Sequence, residues 1–492
     1  MNPDLHSSTQ PQFASALSVA DGWQLTVEVE GEAARKGADA TGNAGWTDVL
    51  VLGPAGRAAV KSPVSIVTAL ALLGPQPVCE QSILDALPRG DEALELLRSA
   101  LELLVRQGAL RRLIVRNGAV IAQLEPLGSH YRFNFFKPLT SAVTPRALSR
   151  FCLLRSDNGY IVLECPLAHA RLRIFSAAVV ASIAALGTRR SEAIEASFGE
   201  TPVAPSAELL SLLSFEGFLE NLGEGHEGEN PARGHWEFHD LLFHSRSRAG
   251  RTGAVVGASY RFRGKVAPLP GVKAPMSALP IALPRPDLGE LIFRDLTVTA
   301  ALESRASIRQ SGGRAPTVVE LGHFLYRSAR VRSCTKYHEI DLTNRPYPNG
   351  GASYELEVYP IIDRCAGLLS GVYHYDPLAH ALEPLAPASP ATETVLRFAH
   401  AANGGLVRPS ILLVVTARFR RVSWKYESVA YATILKNVGA LYQTMYIVAT
   451  AMGLAPCAIG AGDSDLFSEI LGNDYLEESA VGEFMLNARV DG

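Results

Sequence analysis

The sequence predicts an α+β protein built in two halves. Three observations carry that class. Short alternating or apolar β runs are interleaved with amphipathic helical stretches, Asn-Gly hairpin signals stand at Asn117-Gly118 and Asn158-Gly159, and a proline-rich stretch at 266–287 separates the halves. The 492 residues are 47% hydrophobic and 19% charged, ample for a core in each half.

In the N-terminal half, 23–30 alternates apolar and polar residues as a half-buried strand does, and 48–52 forms a second short β run. Ser62-Pro63 caps a helix reaching about Leu73. A second helix runs from Glu80 to Leu87, and a third from Asp91 to Gln107, stopped by Gly108. Leu113–Ile121 is then a hairpin turning at Asn117-Gly118, so the order of helices followed by a β-wing describes a winged-helix-like module over 20–128. A similar set recurs over 129–245: Phe151–Arg155 and Tyr160–Glu164 flank Asp157-Asn158-Gly159, helices follow near 175–187, 191–197 and 206–221, and a short β run surrounds Trp236-Glu237-Phe238. The repeat is one of architecture rather than of sequence. Pro268, Pro270, Pro275, Pro280, Pro284 and Pro286 make 246–295 an extended linker wrapped along the surface.

Charge narrows the function of these modules. Residues 1–245 hold 20 Lys+Arg against 27 Asp+Glu, and 246–492 hold 26 against 22. The helix of the first module that would enter a major groove starts with acids, Glu92 and Glu95, so base readout is disfavoured and no nucleic-acid partner is expected. The remaining use of such a fold is to offer a strand edge and a helix groove to an extended peptide. Six scattered cysteines with no C-x-x-C pair argue against a disulfide framework or a zinc site, and no metal is expected. There is neither a basic N-terminal region leading into an apolar core nor an uninterrupted apolar run of about 18 residues, so neither a signal peptide nor a membrane span is expected; a reducing cytoplasm is the natural compartment.

The C-terminal half carries the chemistry. Arg305-Ala306-Ser307-Ile308-Arg309 sets two guanidiniums and a hydroxyl at alternate positions just after a helix, a pattern suited to a phosphate monoester, although alone it is commoner as a solvated surface segment. Pro348-Asn349-Gly350-Gly351 precedes an apolar β run, Tyr354 to Ile362, and the paired glycines let the backbone approach a ligand closely. Gly371–Asp376 and Leu382–Leu385 read as a hairpin, Ile411 to Phe419 as a central buried strand and Val438 to Met452 as a long apolar helix. Gly453 to Gly460 reads as a short loop of small residues, and Leu486-Asn487-Ala488-Arg489 brings one more arginine.

In this order, these motifs resemble the nitroreductase superfamily, and more narrowly its SagB-type azoline dehydrogenase subfamily. Upstream segments, Trp236 to Arg248 and Phe151 to Arg155, look like those that precede the catalytic domain there. The resemblance implies a mixed sheet flanked by helices over 296–492, with FMN at a homodimer interface. It places Arg305, Ser307, Arg309 and Arg489 on the flavin phosphate, Pro348, Asn349, Gly350 and Gly351 along the flavin, and Ile459 and Gly460 at the isoalloxazine. The subfamily's Lys-Tyr pair is matched by Lys425-Tyr426. Neighbours on a regular strand point to opposite faces, so both can serve one site only if this segment turns; otherwise a snorkelling lysine beside a packed tyrosine is the commoner arrangement. The following helix departs from the subfamily: Asn437 replaces an acid, Ala440 a histidine, and Val429 and Ala432 two arginines.

The implied function is oxidation of thiazoline or oxazoline rings in a ribosomally made peptide to azoles, with Lys425 or Tyr426 as base and dioxygen as final oxidant. The N-terminal modules would hold the precursor peptide or dock a cyclodehydratase. The departures leave two alternatives open: a flavoenzyme of the same fold acting on a small molecule or another amino-acid-derived intermediate, and a non-catalytic scaffold.

Overall fold

The structure is a computed structural model that describes residues 13–20, 24–28, 46–53, 56–128, 130–135, 146–187, 207–221, 231–310 and 313–489. It divides into two compact units, Met1–Ala254 and Val255–Gly492.

In the first unit, strands β1 (Phe13–Val19), β2 (Val78–Cys79), β3 (Leu110–Arg116), β4 (Ala119–Pro126), β5 (Leu153–Asp157), β6 (Tyr160–Glu164) and β7 (Ala170–Ile174) form one sheet in the order β2-β1-β3-β4-β7-β6-β5. Both Asn-Gly turns are present, with Asn117 at φ 49° and Gly118 at 79°, and Asn158 at 49° and Gly159 at 84°. Two successive left-handed residues match the twist of the strands they join, which is why Asn-Gly encodes the hairpin. Helices α1 (Val64–Leu70), α2 (Glu80–Asp85) and α3 (Asp91–Arg106) precede the β3–β4 hairpin. α3 buries Leu97, Leu101, Leu104 and Val105, a stripe at helical spacing.

The segments 20–128 and 129–245 are joined through the β4–β7 ladder, in register from Ala122↔Ile174 to Pro126↔Ala170. One apolar cluster contains Leu101 from α3, Leu172 from β7, Ile183 from α4 (Ala177–Gly187) and Leu213 from α5 (Ala207–Phe215). Helix α6 (Phe238–Arg246) starts where a β run around Trp236–Phe238 was expected. Too few apolar residues alternate there to hold a strand, whereas Leu242 and Ser245 recur at helical spacing. The helix expected near 191–197 lies outside the described residues.

The second unit is built on a seven-stranded sheet: β9 (Ile281–Ala282), β12 (Ala381–Pro387), β11 (Gly371–Asp376), β10 (Leu356–Ile362), β13 (Ile411–Arg418), β16 (Glu478–Ala488) and β15 (Leu454–Ile459) in spatial order. Two short strands, β8 (Gly257–Ala258) and β14 (Tyr426–Glu427), pair separately. Every ladder of the large sheet is antiparallel, where a mixed sheet was expected. The reason lies in the insertion of β16. Strands β13 and β15 run the same way and are joined through helices α11 (Phe419–Ser423) and α12 (Ala430–Ala451), but β16 lies between them, antiparallel to both. Strand β13 is buried along its whole length, as its apolar run predicts, and α12 starts earlier than expected, at Ala430.

The proline-rich stretch is fastened to the sheet of the second unit. Lys273 Nζ donates to Glu478 Oε2 and Tyr359 OH at 2.7 Å each, the Met276 amide to Glu383 at 3.1 Å, and Arg418 to the Pro270 carbonyl at 2.9 Å. Behind it His374 bridges Glu383 at 2.7 Å and Glu357 at 3.4 Å, and Arg418 reaches Glu357 at 3.2 Å. Burial works against the charged histidine, but the carboxylates of Glu357 and Glu383 prevail and raise its pKa. Burial likewise opposes ionisation of Glu357, yet His374, Arg345 and Arg418 lower its pKa to about 2.

These directions fix a pH dependence. The contribution of protonated His374 is present below its unfolded pKa and is lost as pH rises through the raised folded value; that of Glu357 is lost as pH falls through the acid range toward about 2. Urea unfolding should therefore show wild-type stability declining above neutral pH. His374→Gln, which removes the cation shared by the two carboxylates and leaves Glu357 to Arg418, should cost about 3–5 kcal/mol near pH 6 and lack that decline. An equal alkaline decline in both proteins would assign the slope to other groups.

Candidate functional site

Lys425 follows the one-turn helix α11 and Tyr426 opens β14, so the chain turns between them and the alternation of a regular strand does not apply. Strand β8 pairs with β14, and the Ser259 and Tyr260 amides donate to the Lys425 carbonyl at 3.1 and 3.2 Å. Both side chains reach one residue, Gly351. A Cβ built there would lie 2.3 Å from Tyr426 OH and 2.9 Å from Lys425 Nζ, and Gly351 has φ +65°. Glycine is required twice over, by the left-handed backbone and by the close approach. The ammonium lies 5.2 Å from the centre of the Tyr426 ring, and its nearest acceptor is the Gly351 carbonyl at 3.5 Å.

The turn is held from beneath by a buried carboxylate that sequence reasoning missed. Glu355, 0% exposed, accepts from Asn349 Nδ2 at 3.0 Å and from Asn437 Nδ2 at 2.8 Å. Asn437 Oδ1 accepts from the Gly350 amide at 3.0 Å, and Asn349 Oδ1 from the Tyr354 amide at 2.9 Å. Asn437 thus donates to Glu355 with one side-chain atom and accepts from the turn with the other. An acid at 437 could only accept, leaving two carboxylates face to face, so Glu355 accounts for the departure at that position. Its only sequence signal is that it is one of two acids, with Glu357, at the start of a largely apolar strand. Gly350 also packs tightly: a Cβ there would come within 2.5 Å of Thr433 Cγ2.

Arg421, 5% exposed, completes the support. Its guanidinium donates to the carbonyls of Ser353 (2.5 and 2.9 Å), Leu269 (2.7 Å) and Asp341 (2.9 Å) and to no carboxylate. Burial, with Arg418 and Arg345 nearby, lowers its pKa to about 10, which leaves it charged at neutral pH.

The second cluster lies along the other part of α12. Helix α8 (Val298–Ser304) ends at Arg305, and the chain then runs beside edge strand β15, where the Ile308 amide donates to the Pro456 carbonyl at 2.8 Å. Tyr446 of α12 bonds Ser307 Oγ at 2.7 Å and accepts from the Ala458 amide at 2.8 Å, and Arg305 Cζ lies 5.4 Å from its ring centre. With Tyr446 donating to Ser307, the serine keeps its own proton for an outside acceptor. Cys457 touches Ser307 and Arg309; burial raises its pKa while those two groups oppose the rise. Arg489 directly follows β16, whose Ala488 is paired with Leu454, two residues from Pro456. None of Arg305, Arg309 and Arg489 pairs with a carboxylate among the described residues, whereas Arg314, Arg327, Arg408 and Arg418 do. Unneutralised guanidiniums beside a hydroxyl are the donor set that a phosphate monoester requires.

Residues 454–459 form strand β15 rather than the expected loop, because they pair along their whole length with β16. The Ile459 side chain, 4% exposed, packs with Val414 and Phe467 in the core, and Gly460 follows the strand with open space where a Cβ would stand. Across from Ile459 stands Glu483, a buried carboxyl whose pKa burial alone raises to about 7. Pro348 is exposed at the start of the glycine turn.

The Glu355–Asn437 pair yields a test. Asn437→Asp should destabilise the protein by at least about 2 kcal/mol at pH 7, because two carboxylates would share one dry site. Urea unfolding should show the loss shrinking toward pH 5, as the pair takes up a proton. A loss independent of pH would mean the side chains do not meet.

Comparison with known proteins agrees with this architecture. The nitroreductase family model matches residues 302–485, and the cyanobactin oxidase ThcOx model matches 146–253. The nitroreductase-type protein MJ1384 of Methanocaldococcus jannaschii is 26% identical over 186 residues, 38% of this chain and 87% of that protein. The microcin B17-processing protein McbC of Escherichia coli is 36% identical over 118 residues, 22% of this chain and 42% of that protein. The trifolitoxin-processing protein TfxB of Rhizobium leguminosarum bv. trifolii is 24% identical over 165 residues, 33% of this chain and 44% of that protein. The chain thus spans less than half the length of the two peptide-processing relatives it matches. A segment similar to the cyanobactin oxidase thus lies ahead of a domain similar to the nitroreductase family, in the order that the SagB-type motifs imply.

Proposed function

We propose that this nitroreductase-family oxidoreductase is an FMN-dependent dehydrogenase that oxidises azoline rings of a ribosomally synthesised peptide to azoles. The observation that carries the reading is the convergence of Lys425 Nζ and Tyr426 OH on Gly351, two proton-handling groups against a turn where no side chain fits. Likeness to two peptide-processing proteins and to the cyanobactin oxidase model supports a peptide substrate.

Bound FMN would supply the two-electron acceptor for the ring, with dioxygen as the final oxidant. The chain's own part is positioning and proton transfer. Lys425 or Tyr426 takes the proton from the azoline Cα while the other orients the ring, and the fixed turn removes the entropy of assembling the two groups. Arg305, Ser307, Arg309 and Arg489 would hold the flavin phosphate, and Pro348 to Gly351 would line the flavin. Backbone amides beyond Ile459 and at Gly460, rather than the Ile459 side chain, would face its edge.

The placement of the two clusters supports a homodimer. Asn437 and Tyr446 stand nine positions apart on α12, and at about 100° per residue they leave the helix on opposite sides. Two copies would bring the glycine turn of one beside the arginines of the other. Ile292 and Phe293 on helix α7 (Leu288–Arg294), 78% and 88% exposed, offer the apolar surface such an interface needs. The first unit would recruit the precursor peptide or dock a cyclodehydratase.

Two measurements test the assignment. Arg305→Ala and Arg489→Ala each remove a charge-assisted partner worth about 1.5–3 kcal/mol, so FMN affinity should fall about ten- to a hundredfold by titration. Unchanged affinity in both would remove the clamp. Lys425→Ala and Tyr426→Phe should retain FMN and lose about 10²–10⁴-fold in turnover of an azoline peptide. Rates within about threefold of wild type in both flavin-loaded variants would make the pair structural.

A further inference from the structure

The first unit carries an open cavity of about 640 Å³ beside α6, in a segment of the chain that the proposed oxidation does not use. Its polar lining is one-sided: His130, His169, His244, Arg248 and Arg251 face it, and among the described residues no carboxylate does. Arg251 is anchored by backbone alone, donating to the Leu167 carbonyl at 2.6 Å and more weakly to Pro166 at 3.5 Å, so its charge is oriented but not neutralised. Arg248 is exposed and makes no ion pair among the described residues.

The wall is built to stay open. Gly250 has φ +113° and Gly128 φ +75°, and a Cβ on Gly128 would lie 2.6 Å from the Gly250 carbonyl oxygen. Only glycines allow the two loops to meet there, which brings His130 to within 3.2 Å of the Gly250 Cβ position and sets its ring 6.0 Å from that of His169. His169 Nδ1 is buried without a partner. Burial, then Arg251 and His130, lower the His169 pKa, so the ring is neutral at pH 7 and its cationic surroundings lack an anion.

We propose that this cavity binds an acidic segment of an extended peptide, with an Asp or Glu side chain seated between Arg248 and Arg251 and the imidazoles completing its hydrogen bonds. The volume far exceeds a single ion, and Leu167 and Leu241 supply apolar wall for flanking residues. Nucleic acid does not fit, because 1–245 is acidic, 20 basic against 27 acidic residues, and gives no field for a polyanion of that length. The biological role rests on the reading of the first unit as peptide-recognising, but the binding does not require turnover.

The test uses the full-length protein and fluorescein-labelled hexaglutamate and hexaglutamine peptides, read by anisotropy at low salt. Hexaglutamate should bind saturably and hexaglutamine should not. Arg248→Gln, a surface change that cannot unfold the chain, and Arg251→Gln should each weaken binding at least about tenfold, with Arg248→Lys intermediate. Equal binding of the two peptides, or unchanged affinity in Arg248→Gln, overturns the proposal. So does inorganic phosphate that binds with the same arginine dependence while hexaglutamate does not, which would make the cavity a small-oxyanion site. Azoline turnover on a leaderless substrate reads the other site, so failure of the oxidation and failure of this cavity are separable.

Discussion

The guanidinium of Arg421 is the constraint on which the candidate site depends. A charge with almost no solvent is hydrogen-bonded by carbonyl groups, from Ser353 at the glycine turn, Leu269 in the proline-rich stretch and Asp341 in a neighbouring hairpin. Three stretches far apart in sequence are therefore fixed to the one-turn helix that presents Lys425 and Tyr426. A lysine could not substitute: one ammonium has neither the planar fork nor the five donors that reach three directions at once. One guanidinium serves all three carbonyls, so the positions of turn and pair are set together.

Glu355 works within the same frame from the other side. Its carboxylate and the Asn437 amide form a local solution in place of the acid that the subfamily often carries at 437. A departure that looks like loss of function when one residue is considered becomes neutral once its buried partner is seen. The identity of Asn437 therefore says little about substrate, because both ends of its side chain are already engaged.

Local encoding was legible, long-range pairing less so. The Asn-Gly hairpins are decided by two residues that tolerate positive φ, and strand Ile411–Arg418 by an unbroken apolar run, so both could be read directly. Lys425-Tyr426 and Arg305 to Arg309 were found by motif; the first pair meets at Gly351, and the second segment runs beside strand β15. What sequence does not show is which strand adds to which edge. Leu454–Ile459 looked like a loop because proline, glycine and small residues dominate it, yet β16 supplies a full ladder of partners. The continuity of the N-terminal sheet rests on the β4–β7 ladder, which joins residues about fifty positions apart and leaves no local signature. Glu355, Arg421 and Tyr446 carry no distinctive local pattern, and only their neighbours in space reveal what they do.

Insertion of β16 between β13 and β15 also bears on how the polypeptide is made. Synthesis proceeds from the N-terminus, so β13, the long helix and β15 all leave the ribosome before Glu478–Ala488 exists. Until then two apolar strands face each other across an empty lane, each with an open edge of unpaired amides and carbonyls, a template for unwanted association. The segment that closes the lane also delivers Arg489 to the phosphate-type donor set. Completion of the sheet and arrival of Arg489 are one event, so a nascent chain cannot bring that arginine to the candidate donor set before it has sealed both of those open edges.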